Sequence, residues 1–174
     1  MLPNPLLTVA TAADLPALVA LVNSAYRGES SRQGWTTEAD LIDGTRTDEA
    51  TVQAQLENPA AIILKCEESD GTLLGCVYLE ALAEGGLYVG MVTVRPDQQA
   101  RSIGKRLLAA AEDRARQLKS RFLRMTVIAV RAELLAWYER RGYRRTGGTE
   151  AFPEGEPFGI LRQPLVLLVL EKEM

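Results

Sequence analysis

The chain has 174 residues, 47% of them hydrophobic and 25% charged, with a formal net charge of −3. That length suits a single domain over 1–174 with a proper core; the mild acidity predicts no nucleic-acid surface, and no apolar run, Leu165 to Leu170 included, is long enough to cross a bilayer. There is no histidine, which removes imidazole bases, Ser-His and Cys-His nucleophile pairs and imidazole metal sites together, and with only two cysteines no metal is expected.

The start, Met1-Leu2-Pro3-Asn4-Pro5, has no charged segment and no long apolar run, so no secretory signal is expected. Leu6 to Ala10 is predicted as a strand. A helix follows with Leu15, Leu18, Val19, Val22 and Tyr26 on one face. Thr11 or Asp14 starts it; Pro16 is tolerated only in a first turn, which favours Asp14. Arg27 to Gly34 reads as a polar loop. Thr36 or Thr37 caps a short helix through Ile42, and Thr47 starts another over Asp48 to Leu56. Strands are predicted at Ala61–Glu67, Thr72–Leu82 and Leu87–Val94. The first two form a hairpin turned at Asp70-Gly71, which pairs Lys65 with Cys76 and Glu68 with Leu73. Cys66 and Cys76 then face opposite sides of the sheet. No disulfide is expected, which fits a reducing cytoplasm.

The densest information lies at Val92-Thr93-Val94-Arg95-Pro96-Asp97-Gln98-Gln99-Ala100-Arg101-Ser102-Ile103-Gly104-Lys105. An apolar strand ends at a proline, a short polar loop follows, and a helix begins. Unpaired backbone N–H groups at such a helix start favour an anion. The small residues Ala100, Ser102 and Gly104 let a phosphate approach the backbone, and Arg101, Lys105 and Arg106 supply positive charge. The stretch reads as a diphosphate cradle.

The helix carries Ile103, Leu107, Leu108, Ala111, Ala115 and Leu118 at helical spacing. Phe122 to Val130 is the next strand, so the unit is strand, helix, parallel strand, and ligands of such sheets bind at the carboxyl ends of the strands. A late helix from Glu133 and strands at Tyr143–Thr146 and Leu165–Glu171 complete the chain. The fold class is mixed α/β (α+β): a central, mostly antiparallel sheet with one parallel crossover and helices on both faces.

Neither the G-x-x-x-x-G-K-[ST] phosphate loop nor the G-x-G-x-x-G fingerprint is present. The cradle instead resembles the Q/R-x-x-G-x-G/A loop of the GNAT superfamily of N-acetyltransferases, which grips the pyrophosphate of acetyl-CoA. Gln99, Ser102 and Gly104 occupy its three motif positions, with Ser102 in place of the first glycine. A serine there can cap backbone donors or donate to a phosphate. Glu133-Leu134-Leu135-Ala136-Trp137-Tyr138-Glu139-Arg140-Arg141-Gly142-Tyr143 resembles the family's late A-x-x-x-Y-E-x-x-G-F segment, and the resemblance covers the whole chain. Arg131 stands near the place where the family usually has an asparagine.

The resemblance implies a GNAT fold, acetyl-CoA as cosubstrate, and direct acetyl transfer to a primary amine of a small molecule or to an exposed amino group on a peptide. It implies that Tyr138 protonates the leaving thiolate, and that the backbone of Val92, Thr93 and Val94 pairs with pantetheine and polarises the thioester. Gln99, Ala100, Arg101, Ser102, Ile103, Gly104 and Lys105 hold the diphosphate. Glu80, or Glu84 just after it, is the candidate base for the amine, with water-relayed deprotonation as the alternative. The first loop offers Tyr26, Arg27, Arg32, Trp35 and Glu38 for the acceptor, with Tyr26 and Trp35 foremost. No membrane partner is expected, the setting is cytoplasmic, and the apolar C-terminal strand leaves a homodimer open. The alternative function is a non-catalytic CoA-binding sensor or assembly module.

Overall fold

The computed structural model describes residues 4–155 and 158–174. The expectation for the chain start rests partly on Met1–Pro3, which lie outside the described residues. In chain order the elements are β1 (Leu6–Val9), α1 (Leu15–Tyr26), α2 (Gly28–Ser31), β2 (Ile42–Asp43), α3 (Glu49–Glu57), β3 (Ala61–Glu67), β4 (Leu73–Ala81), β5 (Leu87–Val94), α4 (Ile103–Gln117), β6 (Phe122–Ile128), α5 (Ala132–Glu139), β7 (Arg144–Ala151), β8 (Ile160–Leu161) and β9 (Val166–Glu173).

Seven strands form one sheet in the order β1-β3-β4-β5-β6-β9-β7. Only β5 and β6 run parallel, as the α4 crossover requires. The apolar stripe of α4, Ile103, Leu107, Leu108, Ala111 and Ala115, packs on one face against Leu74, Val77, Leu79, Leu87 and Val89. Leu18, Leu21 and Val22 of α1 and Val52 of α3 cover the other face over Ile63, Cys76 and Tyr78. Cys66 belongs to the first layer and Cys76 to the second, and both are free thiols, as the hairpin reading expects.

Both candidate starts of the first helix are used. Thr11 N–H donates to Asp14 Oδ2 at 2.8 Å across a 3-10 turn, and α1 proper begins at Leu15 with Pro16 in its first turn. Asp48 caps α3 by accepting from Thr51 N–H at 2.8 Å. In the hairpin Lys65 pairs with Cys76, but the register shifts after Cys66, so Leu73 faces Glu67 rather than Glu68.

Three local expectations are corrected. The polar loop after Arg27 holds one helical turn, α2. The short helix expected from Thr36 or Thr37 to Ile42 does not form. Ile42 instead pairs with Leu161 in the two-stranded β2–β8 sheet and is buried against Ile128 and Leu165, so tertiary burial overrides the capping signal. β7 runs on past Thr146 to Ala151 because its register shifts between Arg145 and Thr149, at Gly147 with φ +87°. The C-terminal strand β9 lies between β6 and β7, so its backbone is paired along both edges within the sheet. No helix among the described residues is long and apolar enough to cross a membrane.

Two irregularities in β5 create the site. Cys76 pairs with Thr93 but Tyr78 pairs with Gly90, so β5 carries one extra residue opposite Val77. Met91, in that bulge, has φ 52°, a left-handed conformation that costs an ordinary residue roughly 1–2 kcal/mol. Beyond Leu87 and Tyr88, which face Leu123 and Arg124, β5 no longer pairs with β6. The two parallel strands splay, and a cleft opens between their carboxyl ends.

Candidate active site

Two cavities meet in the splay. The smaller, about 240 Å³, runs from the end of β5 to the start of α4 and is lined by Val92, Val94, Gln99, Ala100, Ser102, Gly104, Lys105 and Trp137, among others. The larger, about 440 Å³, lies between β5 and β6 and is lined by Glu38, Arg46, Tyr88, Arg131, Phe152 and Phe158, among others. Tyr26, Val92, Leu134 and Tyr138 line both cavities and form their junction.

The α4 start has the form of an anion site. Arg106 N–H bonds back to Ser102 O at 3.2 Å, so by helix geometry the N–H groups of the first turn have no acceptor within the helix. That turn holds no acidic residue. Ser102 has φ 60° and ψ 19° and its side chain makes no capping bond, which corrects the expected role as a cap. Its backbone is left-handed, the conformation glycine adopts at no steric cost, which gives a physical reason for glycine at this motif position. A Cβ at Gly104 would come within 3.3 Å of the Trp137 ring, so a side chain here would press on that ring and narrow the floor.

The charges divide. Lys105 lines the cavity, but Arg101 is held by Glu68 at 2.6 Å and Gln98 at 2.9 Å and lies outside the lining. Arg106 donates to Pro5 O at 2.7 Å. Ile103 and Thr93 have buried side chains, the Thr93 hydroxyl bonding Met91 O at 2.9 Å, so each can meet a ligand through its backbone alone. Gln99 spans the opening. Its Oε1 accepts from Trp35 N–H at 2.9 Å, while its Nε2 donates to Thr36 Oγ1 at 2.8 Å and to Val94 O at 3.3 Å. Trp35, expected to hold the acceptor, lines the smaller cavity instead, with its ring 6.0 Å from that of Trp137.

At the junction the Tyr26 hydroxyl donates to Val92 O. Burial first, and the Glu38 carboxylate next, push the Tyr26 phenol up to about 12. Tyr138 is buried, packed edge-on against Trp137 at 5.1 Å and Tyr143 at 5.9 Å. Burial drives its phenol well above the ordinary range. Both phenols therefore keep their protons at neutral pH and can donate them.

The expected carboxylates lie elsewhere. Glu80 is on β4, on the far side of β5 from the splay; it accepts from Tyr78 Oη at 2.7 Å and lines neither cavity. Glu84 pairs with Arg124 at the surface. The carboxylate inside the larger cavity is Glu38, whose Oε2 takes Arg27 Nε at 3.1 Å and whose Oε1 faces Arg131 Nη1 at 3.6 Å. Arg32 is engaged by Glu29 and Asp40 on the surface. Arg46, Glu150, Phe152 and Phe158 were not singled out from the sequence; they come from distant segments that only the fold joins. Among the described residues no cluster of His, Cys, Asp and Glu is placed to hold a metal.

Residues 20–143 match the acetyltransferase (GNAT) family, and the chain belongs to that family. It is an N-acetyltransferase by class. The chain is similar to the ribosomal-protein-alanine N-acetyltransferase from Brucella melitensis, at 26% identity over 97% of this chain and 99% of that one, with a TM-score of 0.71. It shares its fold with the yncA protein of Salmonella typhimurium, described with its cofactor acetyl-CoA (21% identity, 98% and 94% covered, TM-score 0.70). It likewise shares its fold with the ribosomal-protein-S18-alanine N-acetyltransferase from Escherichia coli (14%, 97% and 93%, 0.71). A search of curated proteins gave no match. The GNAT resemblance and the mixed α/β architecture expected from the sequence are thus borne out.

Proposed function

We propose that the protein moves the acetyl group of acetyl-CoA directly to a primary amine, on a small molecule or on an exposed amino group, within one domain that carries both cavities. The observation behind this is the junction: two cavities meet at Tyr26, Val92 and Tyr138. Direct transfer needs both substrates to touch at one point with the reacting atoms held together.

The residues present fit acetyl-CoA. The first turn of α4 and Lys105 suit a diphosphate. The splayed edge of β5 offers backbone groups of Val92 and Val94 to an extended amide chain. When bound, acetyl-CoA supplies an activated thioester at the junction. Val92 N–H is the donor available to polarise a carbonyl there. Tyr138 Oη holds a proton for the departing sulfur, and the burial that raises the phenol raises the thiol in the same surroundings. Glu38 is committed to two guanidiniums, so the amine loses its proton to water or arrives neutral.

Thiol release measured with a panel of primary amines tests this. Release that depends on added amine is expected. Tight binding of acetyl-CoA with no amine-dependent release would overturn transfer and leave a binding module.

A further inference from the structure

Two guanidiniums, Arg46 and Arg131, and two carboxylates, Glu38 and Glu150, line the larger cavity, and Glu38 also answers the charge of Arg27 behind it. Glu38 sets one carboxylate against two guanidiniums, and Arg27, Glu38 and Arg131 have side chains exposed by only 3%, 8% and 9%. Arg27 turns its Nη1 away to the carbonyls of Thr45 and Phe158, each at 2.9 Å, and forms the wall behind Glu38. Arg131 and Arg46 line the cavity itself. Arg46 makes no ion pair among the described residues and stands 5.9 Å over the Tyr26 ring. The other lining carboxylate, Glu150, is exposed on β7 at the rim.

A buried guanidinium without its full counter-charge is costly, and a ligand anion removes that cost. The planar fork of arginine matches a carboxylate with two parallel hydrogen bonds. The lining also includes the aromatic and apolar side chains of Tyr88, Met91, Phe152 and Phe158. Tyr26 places the anion relative to the chemistry. One face of its ring lies under Arg46, and its hydroxyl reaches Val92 O at the junction where the amine must react. Amine and anion therefore sit about one ring apart.

We infer that the acceptor is a small amine with a carboxylate close to its amino group, an amino acid, and that Arg46 and Arg131 read that carboxylate. The inference rests on the proposed acetyl transfer. It excludes the N-terminus of a polypeptide, where the same carbonyl is a neutral amide.

Matched pairs decide between these acceptors. N-acetyl-L-alanine, N-acetyl-L-leucine, N-acetyl-L-methionine and N-acetyl-L-phenylalanine are titrated against their amides by calorimetry in the presence of CoA. At least one acid is expected to bind ~10-fold or more tightly than its amide, as a charge-assisted bidentate contact gives. Arg46→Gln is expected to shrink that ratio to about 3-fold or less while leaving the amide's Kd within about 2-fold. Equal binding of acid and amide in every pair, or no binding by any acid, overturns the inference. A ratio unchanged in Arg46→Gln removes Arg46 from it. Thiol release is run in parallel with the free amino acids and amino amides. A carboxylate preference in binding with no amine-dependent release would retain the anion site and overturn acetyl transfer.

Discussion

The backbone N–H of Trp35 donates to Gln99 Oε1 at 2.9 Å, joining the loop after α2 to the cradle before α4 across 64 residues of sequence. Gln99 Nε2 in turn donates to Thr36 Oγ1 and to Val94 O. Gln99 thus straps a loop across the mouth of the smaller cavity and covers a β5 carbonyl that an extended ligand would use.

Gln99→Ala removes all three bonds. The two that reach the loop, at Trp35 and Thr36, are worth about 0.5–1.5 kcal/mol net each, so the loop is expected to open at least ~5-fold more often. Hydrogen exchange at the Trp35 amide reads this directly. Exchange as slow as in the parent protein would show that packing of Trp35 on Trp137 holds the loop alone.

Ser102 sits at φ 60° with no capping bond to compensate. Left-handed backbone costs an L-residue roughly 1–2 kcal/mol, and glycine's extra freedom when unfolded returns about 0.4–1 kcal/mol of that. Ser102→Gly is therefore expected to raise stability by somewhat under ~1 kcal/mol, with CoA affinity retained. A urea midpoint that falls, or CoA binding that is lost, would show that the hydroxyl matters.

The cradle was legible because Val92 to Lys105 is contiguous: strand, turn and helix start are local signals, and the structure keeps them together. The larger cavity was far less so. Its lining comes from α1, the loop around Arg46, β6, α5 and the β7–β8 connection, and no spacing rule joins Arg46 to Glu150. Glu80 shows the limit most clearly. It lies on a strand, as its surroundings predict, but the sheet opens between β5 and β6, and Glu80 is on β4, the neighbour on the other side. That choice depended on the bulge at Met91, whose left-handed φ leaves no mark in the sequence because methionine is not a turn residue.

Burial raises the Tyr26 and Tyr78 phenols from 10.0 and the Cys76 thiol from 9.0, each to about 12. The folded state thus holds these protons more tightly than the unfolded chain does. Their contribution to stability is complete below pH 9.0 and is lost as pH climbs toward about 12. The urea midpoint is expected to stay level from neutral pH to about 9 and to fall steadily above it. A midpoint that rises over the alkaline range would contradict this. Tyr78→Phe should flatten the fall, because one of the raised groups is gone.

No histidine is present, and the carboxylate inside the larger cavity is tied to Arg27 and Arg131. Between pH 6 and pH 9 the rise in kcat/KM should therefore follow the acceptor's own amine. Two acceptors whose amines differ by about one pKa unit are expected to give profiles displaced by about the same amount toward higher pH for the more basic amine. Identical profiles for the two would instead reveal a base on the protein, and Glu150 at the rim would be the first carboxylate to replace.

Tyr138 Oη stands where both cavities meet, on a ring fixed by Trp137 and Tyr143. Phenylalanine keeps that packing, so Tyr138→Phe should fold normally and bind acetyl-CoA with nearly unchanged affinity. What it removes is the proton held for the departing sulfur. General acid catalysis is typically worth ~10²–10⁴-fold, so kcat should fall by at least ~10²-fold. Tyr26→Phe serves as the comparison. It loses the bond to Val92 O and frees that carbonyl, so its effect should appear in KM for acetyl-CoA as well as in kcat. A poorer leaving group, offered as the oxygen ester analogue of acetyl-CoA, should widen the gap between parent and Tyr138→Phe, because its departure depends more on the proton. If Tyr138→Phe stays fully active with a good acceptor, the phenol is only a wall of the junction, and the rate rests on positioning and on Val92 N–H.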